Sequence, residues 1–383
     1  MTRISIQPSM LIWARERAGL GLEDLSHRFP RLAQWECGAQ SPTLHQLEDF
    51  ARAVHVPLGY LFLSTPPEEP LPVRDLRTLA DQPISHPSPD LLDTLYLCQQ
   101  RQDWYREYAQ LHGLAPVPFV GTATQQDTPD KVAADMQEKL ALSVRERQQL
   151  PTWTDALRLM AEKAEEAGIL VMASSVVGNN PHRKLSVTEF RGFALVDELA
   201  PLVFLNTADS KAAQMFTLAH ELAHVWLGES GISDVEVGRQ PTHQVERWCN
   251  AVAAELLVPL AGFRAEYRPR APLADEIQRL ARLYKVSTLV ILRRAFDSGF
   301  LNEERLWTAY REELNRLRTL EPRKTGGGDF YRTLSVRTGW RFARAVVAST
   351  LEGQTLFQEA FHLLGIRKTA TFYTAARELG VLV

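Results

Sequence analysis

The stretch FTLAHELAHVWLG, residues 216–228, decides how this chain is read. Phe216, Leu218, Ala219, Leu222, Ala223 and Trp226 make it apolar on nearly every face. Asp209-Ser210 before it and Gly228 after it are helix start and stop signals. A helix apolar all round is a buried helix, and two histidines and a glutamate inside it need partners. His220 and His224 stand four residues apart, so both imidazoles lie on one face and can reach one ion. Glu221 is turned about 100° from His220. That places it beside such an ion rather than on it, where a carboxylate can take a proton from activated water. The plain alternative is a buried helix whose histidines bond to backbone or carboxylate groups.

Two histidines with an open water position call for a third ligand, and glutamate is a common complement in hydrolytic zinc sites. The next helical stretch, roughly 243–257, offers Glu246 and Glu255. Glu246, Asn250 and Ala253 form one stripe, whose small residues let this helix approach the first closely. Glu255 lies nine positions on, about 180° round, so only one of the two glutamates can face the metal. Spacing does not choose between them.

Three ordered strings, RGFALVDELAPLVFLN (191–206), FTLAHELAHVWLG (216–228) and ERWCNAVAAELLVP (246–259), resemble the ImmA/IrrE-type zinc metallopeptidase domain over roughly 165–300. The resemblance implies His220, His224 and Glu246 as ligands of Zn2+ and Glu221 as catalytic base, with Asn250 and Glu255 as supporting residues. It also implies a protein substrate or neighbouring-gene partner, often a repressor, or a role in toxin–antitoxin-like pairs. The competing expectation is a non-proteolytic regulator or antitoxin-like binding protein with a structural zinc. No second donor for a developing oxyanion is legible; His182, Arg183, His243 and Tyr284 are more simply surface or packing residues.

Working outward, the fold expected is α+β and predominantly α-helical. FRGFALV (190–196) and PLVFLN (201–206) bracket DELA as a hairpin would, and ILVMASSVV (169–177) is a further β-rich run. Together they predict a small antiparallel sheet beside helices in a zincin-like domain spanning 151–300. Helices are expected near 274–284 and 287–298, and over 88–112, with Ser88 as N-cap and Gly113 as stop. A linker and helical bridge, 65–150, begins in the proline-rich STPPEEPLP (64–72). A basic helical lobe follows over 301–383, where TGGGDFYRT (325–333) is expected as a flexible joint rather than a phosphate cradle.

Residues 1–64 resemble an Xre-type helix-turn-helix through LIWARERAGLGLEDL (11–25) and WECGAQSPTLHQLEDFARAVHVPLGYLF (35–62). Between them SHRFPRLAQW is about four residues short of that pattern, and Pro30 falls where the reading helix should begin. Major-groove readout uses the first residues of that helix, so a protein-interaction or homodimerisation role is expected ahead of DNA binding. Two later segments, 280–296 and 360–379, have helix-turn-helix spacing that packing explains equally well. In the second, Arg367, Lys368, Thr369 and Thr371 suit contacts to nucleic acid.

Composition agrees with a globular protein: 45% hydrophobic and 23% charged residues, with a net charge of −3. The C-terminal 83 residues carry 13 Lys/Arg against 9 Asp/Glu, so a polyanion would prefer that end. Three distant cysteines, Cys37, Cys98 and Cys249, form no disulfide framework, and no apolar run spans a membrane. The expectation is a cytoplasmic protein without membrane contact.

Overall fold

The computed structural model describes residues 3–69, 71–76, 87–233, 243–319 and 330–382. The chain divides into two compact units, Met1–Pro72 with Ile84–Tyr96, and Val73–Pro83 with Leu97–Val383.

The first unit contains α1 (Pro8–Arg17), α2 (Leu22–Ser26), α3 (Leu32–Glu36), α4 (Leu44–Ala53) and a 3-10 turn, Leu58–Phe62. Leu11, Leu25, Phe29, Leu32, Trp35, Leu47, Phe50 and Leu61 form its core. The Thr43 hydroxyl and the Gln46 side chain cap α4 reciprocally. Arg15 grips Glu36 through two bonds of 2.7 and 3.1 Å, the bidentate form in which an arginine–carboxylate pair is strongest. The segment from Leu22 to Glu36 makes two five-residue helices, α2 and α3, separated by the five residues His27 to Arg31, with Pro30 among them.

The second unit is built on a five-stranded sheet of order β1-β5-β3-β4-β2. Its strands are β1 (Arg74–Asp75), β2 (Leu170–Ser174), β3 (Gly192–Leu195), β4 (Leu202–Asn206) and β5 (Gly231–Ser233). The hairpin forms, with Phe193 opposite Phe204 and the two rings stacked 4.9 Å apart. The sheet is mixed, however, rather than purely antiparallel: β2 lies parallel to β4, and β1 parallel to β5. Parallel neighbours need a long connection. The chain from Ser174 to Gly192 supplies it, so β3 skips one position and the hairpin returns β4 against β2.

Helices cover this sheet and one another. They are α5 (Pro89–Leu111), which starts in the first unit, then α6 (Pro129–Lys139), α7 (Val144–Gln149), α8 (Trp153–Glu166), α9 (Lys211–Leu227), α10 (Gln244–Leu257), α11 (Leu260–Glu266), α12 (Leu273–Tyr284) and α13 (Thr288–Asp297). Beyond them come α14 (Glu303–Thr319), α15 (Phe330–Thr338), α16 (Trp340–Leu351), α17 (Phe357–Leu364) and α18 (Thr369–Glu378). Of the segment expected as a joint, 325–333, residues 325–329 lie outside the described residues, whereas 330–333 form the first turn of α15 rather than a joint.

Both ends of α9 are fixed by short-range chemistry. The Ser210 hydroxyl accepts from Ala213 N at 3.2 Å, a cap worth about 1 kcal/mol. Gly228 ends the helix in the left-handed region at φ +76°, so tightly against Gly121 that a Cβ would stand 3.0 Å from its Cα. Gly121 N and Ala123 N then donate to the carbonyls of Val225 and Trp226 in the last turn at 3.1 and 2.9 Å.

Where α8 ends, Glu165 is buried, and its Oε1 accepts from Arg341 N at 3.1 Å. Burial pushes its carboxyl up to about 8, against the lowering effect of the Arg341 and Trp340 N–H groups. Between its ordinary value of 4.5 and about 8 the folded chain therefore holds a proton that the unfolded chain has released. Stability contributed at low pH is lost as pH rises through that window. Urea unfolding at a series of pH values should show wild type losing up to about 1.4 kcal/mol per pH unit relative to Glu165→Gln. Parallel curves for the two proteins would contradict this assignment.

Candidate metal centre

Two buried helices meet at the site. α9 contributes His220, Glu221 and His224, each with no exposed surface, and α10 contributes Glu246, 2% exposed. α9 can enter the core because the remainder of its surface is mostly apolar, and α10 packs against it, with Asn250 bonded to His220 and Cys249 and Ala253 buried. The far end of α10 is anchored by two arginines. Arg147 donates to Leu257 O, and Arg294 donates to Val258 O through Nε and Nη2 at 2.8 and 2.7 Å. Cations at the negative end of a helix satisfy its last carbonyls, and here they also set which way α10 is turned.

That rotation separates the two glutamates which spacing left undecided. Glu246 faces the histidines: its Oε1 is 3.0 Å from His224 Nε2, and its Oε2 is 3.2 Å from His220 Nε2. The two Nε2 atoms are 3.1 Å apart. Glu255 instead pairs with Arg294, and its Oε1 accepts from Leu260 N at 3.0 Å, at the start of α11.

His220 Nδ1 lies 3.0 Å from Asn250 Oδ1. An amide oxygen only accepts, so Nδ1 carries the hydrogen and Nε2 presents a lone pair toward His224 and Glu246. His224 Nδ1 is buried and has no partner among the described residues. Electron-pair donors thus converge from three side chains, a set held together either by a shared proton or by a cation. Among the described residues, His220, His224 and Glu246 are the group whose ligand atoms lie close enough, within 4.8 Å, to hold a metal ion. Two imidazoles and a carboxylate form a donor set that zinc accepts.

Glu246 titrates against burial: desolvation opposes its charge, but the two imidazoles win and hold it well below the usual carboxylate range. Glu221 moves the other way. Burial pushes it up to about 8, the Glu246 charge adding to the rise and His224 and the Ser233 hydroxyl opposing it. Neither Glu221 oxygen meets a hydrogen-bond partner within normal geometry among the described residues. Space for this carboxylate comes from Gly192 on β3, where a Cβ would stand 3.1 Å from Glu221 Oε1 and 2.6 Å from Thr217 Cγ2.

Gly192 and Ser233 are site neighbours that sequence reasoning did not single out. Their only signal was a glycine and a small polar residue at strand ends, and contact with Glu221 is a matter of tertiary packing. Arg367, Lys368, Thr369 and Thr371 take no part in this cluster. They lie at the turn into α18, with Thr371 half-buried and the other three exposed. Tyr284 is buried in the core.

Residues 164–296 match the family model described as the IrrE N-terminal-like domain of the M78 peptidases. Residues 338–378 match a domain of unknown function, DUF8813. No curated protein matches the chain. The first match takes in β2 to β5 and α9 to α13, and with them all four residues of the centre. The second covers α16 to α18.

If the Asn250 contact orients His220, Asn250→Ala should weaken retention of a divalent metal by about 10- to 100-fold. Competition against a chelator measures this directly. Retention equal to wild type would reduce Asn250 to a packing residue.

Proposed function

We propose that this chain is a zinc-dependent endopeptidase acting on a protein partner, with His220, His224 and Glu246 as ligands and Glu221 as general base. The observation that carries the reading is the convergence of two imidazoles and a carboxylate, all buried, beside a carboxylate that bonds to none of them. The family match over the same residues supports it. The proposed setting is the cytoplasm, supported by three free cysteines. No helix among the described residues is long and apolar enough to cross a membrane.

When bound, zinc supplies Lewis acidity to a carbonyl and makes water acidic enough to lose a proton near neutrality. The chain's own residues do the rest. Glu246 and the two histidines fix the position of the centre, and Asn250 holds the His220 ring in the tautomer that leaves Nε2 free. Glu221, in a dry setting that makes its protonated and charged forms similar in energy, takes the proton from water and delivers it to the leaving amine. The partner is proposed to be a repressor or toxin–antitoxin-like protein, most simply the product of an adjacent gene.

A second reading, a non-proteolytic regulator with a structural metal, is favoured by one observation. None of the four residues is more than 2% exposed, whereas a catalytic metal keeps a position open. Two measurements separate the readings. Elemental analysis should find one zinc per chain in wild type and in Glu255→Ala, and none in Glu246→Ala. Glu221→Gln should retain zinc yet lose cleavage of the partner by 100-fold or more. Partner control in cells that survives Glu221→Gln, with zinc still bound, would favour the structural role.

A further inference from the structure

The sheet edge beside the centre is closed by the chain itself. Gly192, the residue against which Glu221 lies, pairs across the sheet with Ser233 of β5. On its other side β5 pairs in parallel with β1, Arg74 opposite Gly231 and Asp75 opposite Ile232, and Leu76 N donates to Ile232 O at 3.1 Å. The same register sets Leu76 opposite Ser233. Side chains alternate along a strand, so Leu76, Gly231 and Ser233 share a face. Leu76 is 2% exposed and belongs to the core that includes α9. It lies over Gly231 so closely that a Cβ there would be 2.5 Å from Leu76 Cδ1. Arg74, an exposed residue, reaches Glu229 at 3.5 Å.

This arrangement has two physical consequences. The outer edge of β5, whose N–H and C=O groups would otherwise accept an added strand, is occupied by residues 74–76. The occupant's strand is also short, two residues with Leu76 as its anchor in the core, and its Arg74–Glu229 ion pair is exposed and contributes little. Such an edge belongs to the parts of a protein that open most readily. Glu221 and Ser233 meanwhile have no exposed surface.

Building on the peptidase reading, we propose that Arg74–Leu76 act as a latch. They clamp β5 against Gly192 and keep the glutamate enclosed, and an extended polypeptide segment competing for the same edge, with an aliphatic side chain at the Leu76 position, opens the centre. The substrate class is therefore an extended, unfolded stretch of protein rather than a folded surface, and the resting chain is latent.

Two variants release the latch from opposite sides. Leu76→Asp removes the apolar anchor, and Gly231→Val fills the space that Leu76 needs. Loss of amide protection at Leu76 and Ile232 in hydrogen exchange shows that release has occurred, and circular dichroism that each protein is folded. With zinc loaded, both variants should surrender the metal to a chelator at least 10-fold faster than wild type and cleave unfolded casein at least 10-fold faster. Faster metal release without any cleavage upholds the latch and removes the peptidase reading instead. Free exchange at Leu76 and Ile232, with metal release and cleavage both unchanged, overturns the latch. Should both variants fail to fold, Arg74→Ala combined with Leu76→Ser is read by the same criteria.

Discussion

The structure turns on a cluster of electron-pair donors deep between α9 and α10. Two imidazoles and a carboxylate within about 3 Å of one another, out of contact with water, would repel or stand unsatisfied without something positive between them. That cost is why the surroundings are so fully specified. α9 is apolar almost throughout, its start is capped by Ser210, and its end is held by Gly228 and the 121–123 backbone.

The second helix is governed from a distance. Arg147 and Arg294 take the last carbonyls of α10, and Glu255 completes the Arg294 site and caps α11. With its C-terminal end fixed in rotation, α10 has one face for Glu246 and the opposite one for Glu255. The supporting arginines lie on α7 and α13, so residues on either side of the centre in sequence cooperate to aim one carboxylate. α7 belongs to a stretch expected to be a bridge, yet it joins the second unit.

Glu221 shows how one fold gives two carboxylates opposite characters. Glu246 keeps its charge because imidazoles face it, whereas Glu221, a neighbour without such bonds, is driven toward its neutral form by burial. The difference lies in hydrogen-bond partners rather than in depth, since both are buried. Gly192 and Ser233, on adjacent strands, flank Glu221 and tie its environment to the sheet edge.

Much of this was legible along the chain, because it is local. The α9 helix, its two caps, the i and i+4 histidines and the DELA hairpin each follow from residues within one or two turns of each other, where spacing alone sets which side chains share a face. The predominance of helix followed in the same way. What sequence could not decide were long-range choices. Helical period offered Glu246 and Glu255 on opposite faces without preference, and the orientation that selected one depends on arginines about 40 residues ahead of one and 100 behind the other. Parallel pairing of β2 with β4 and of β1 with β5 escaped it too, since parallel register is set by contacts between segments far apart rather than by a turn. A short strand such as Arg74–Asp75 has no periodic signature at all; only the sheet edge that receives it makes it a strand.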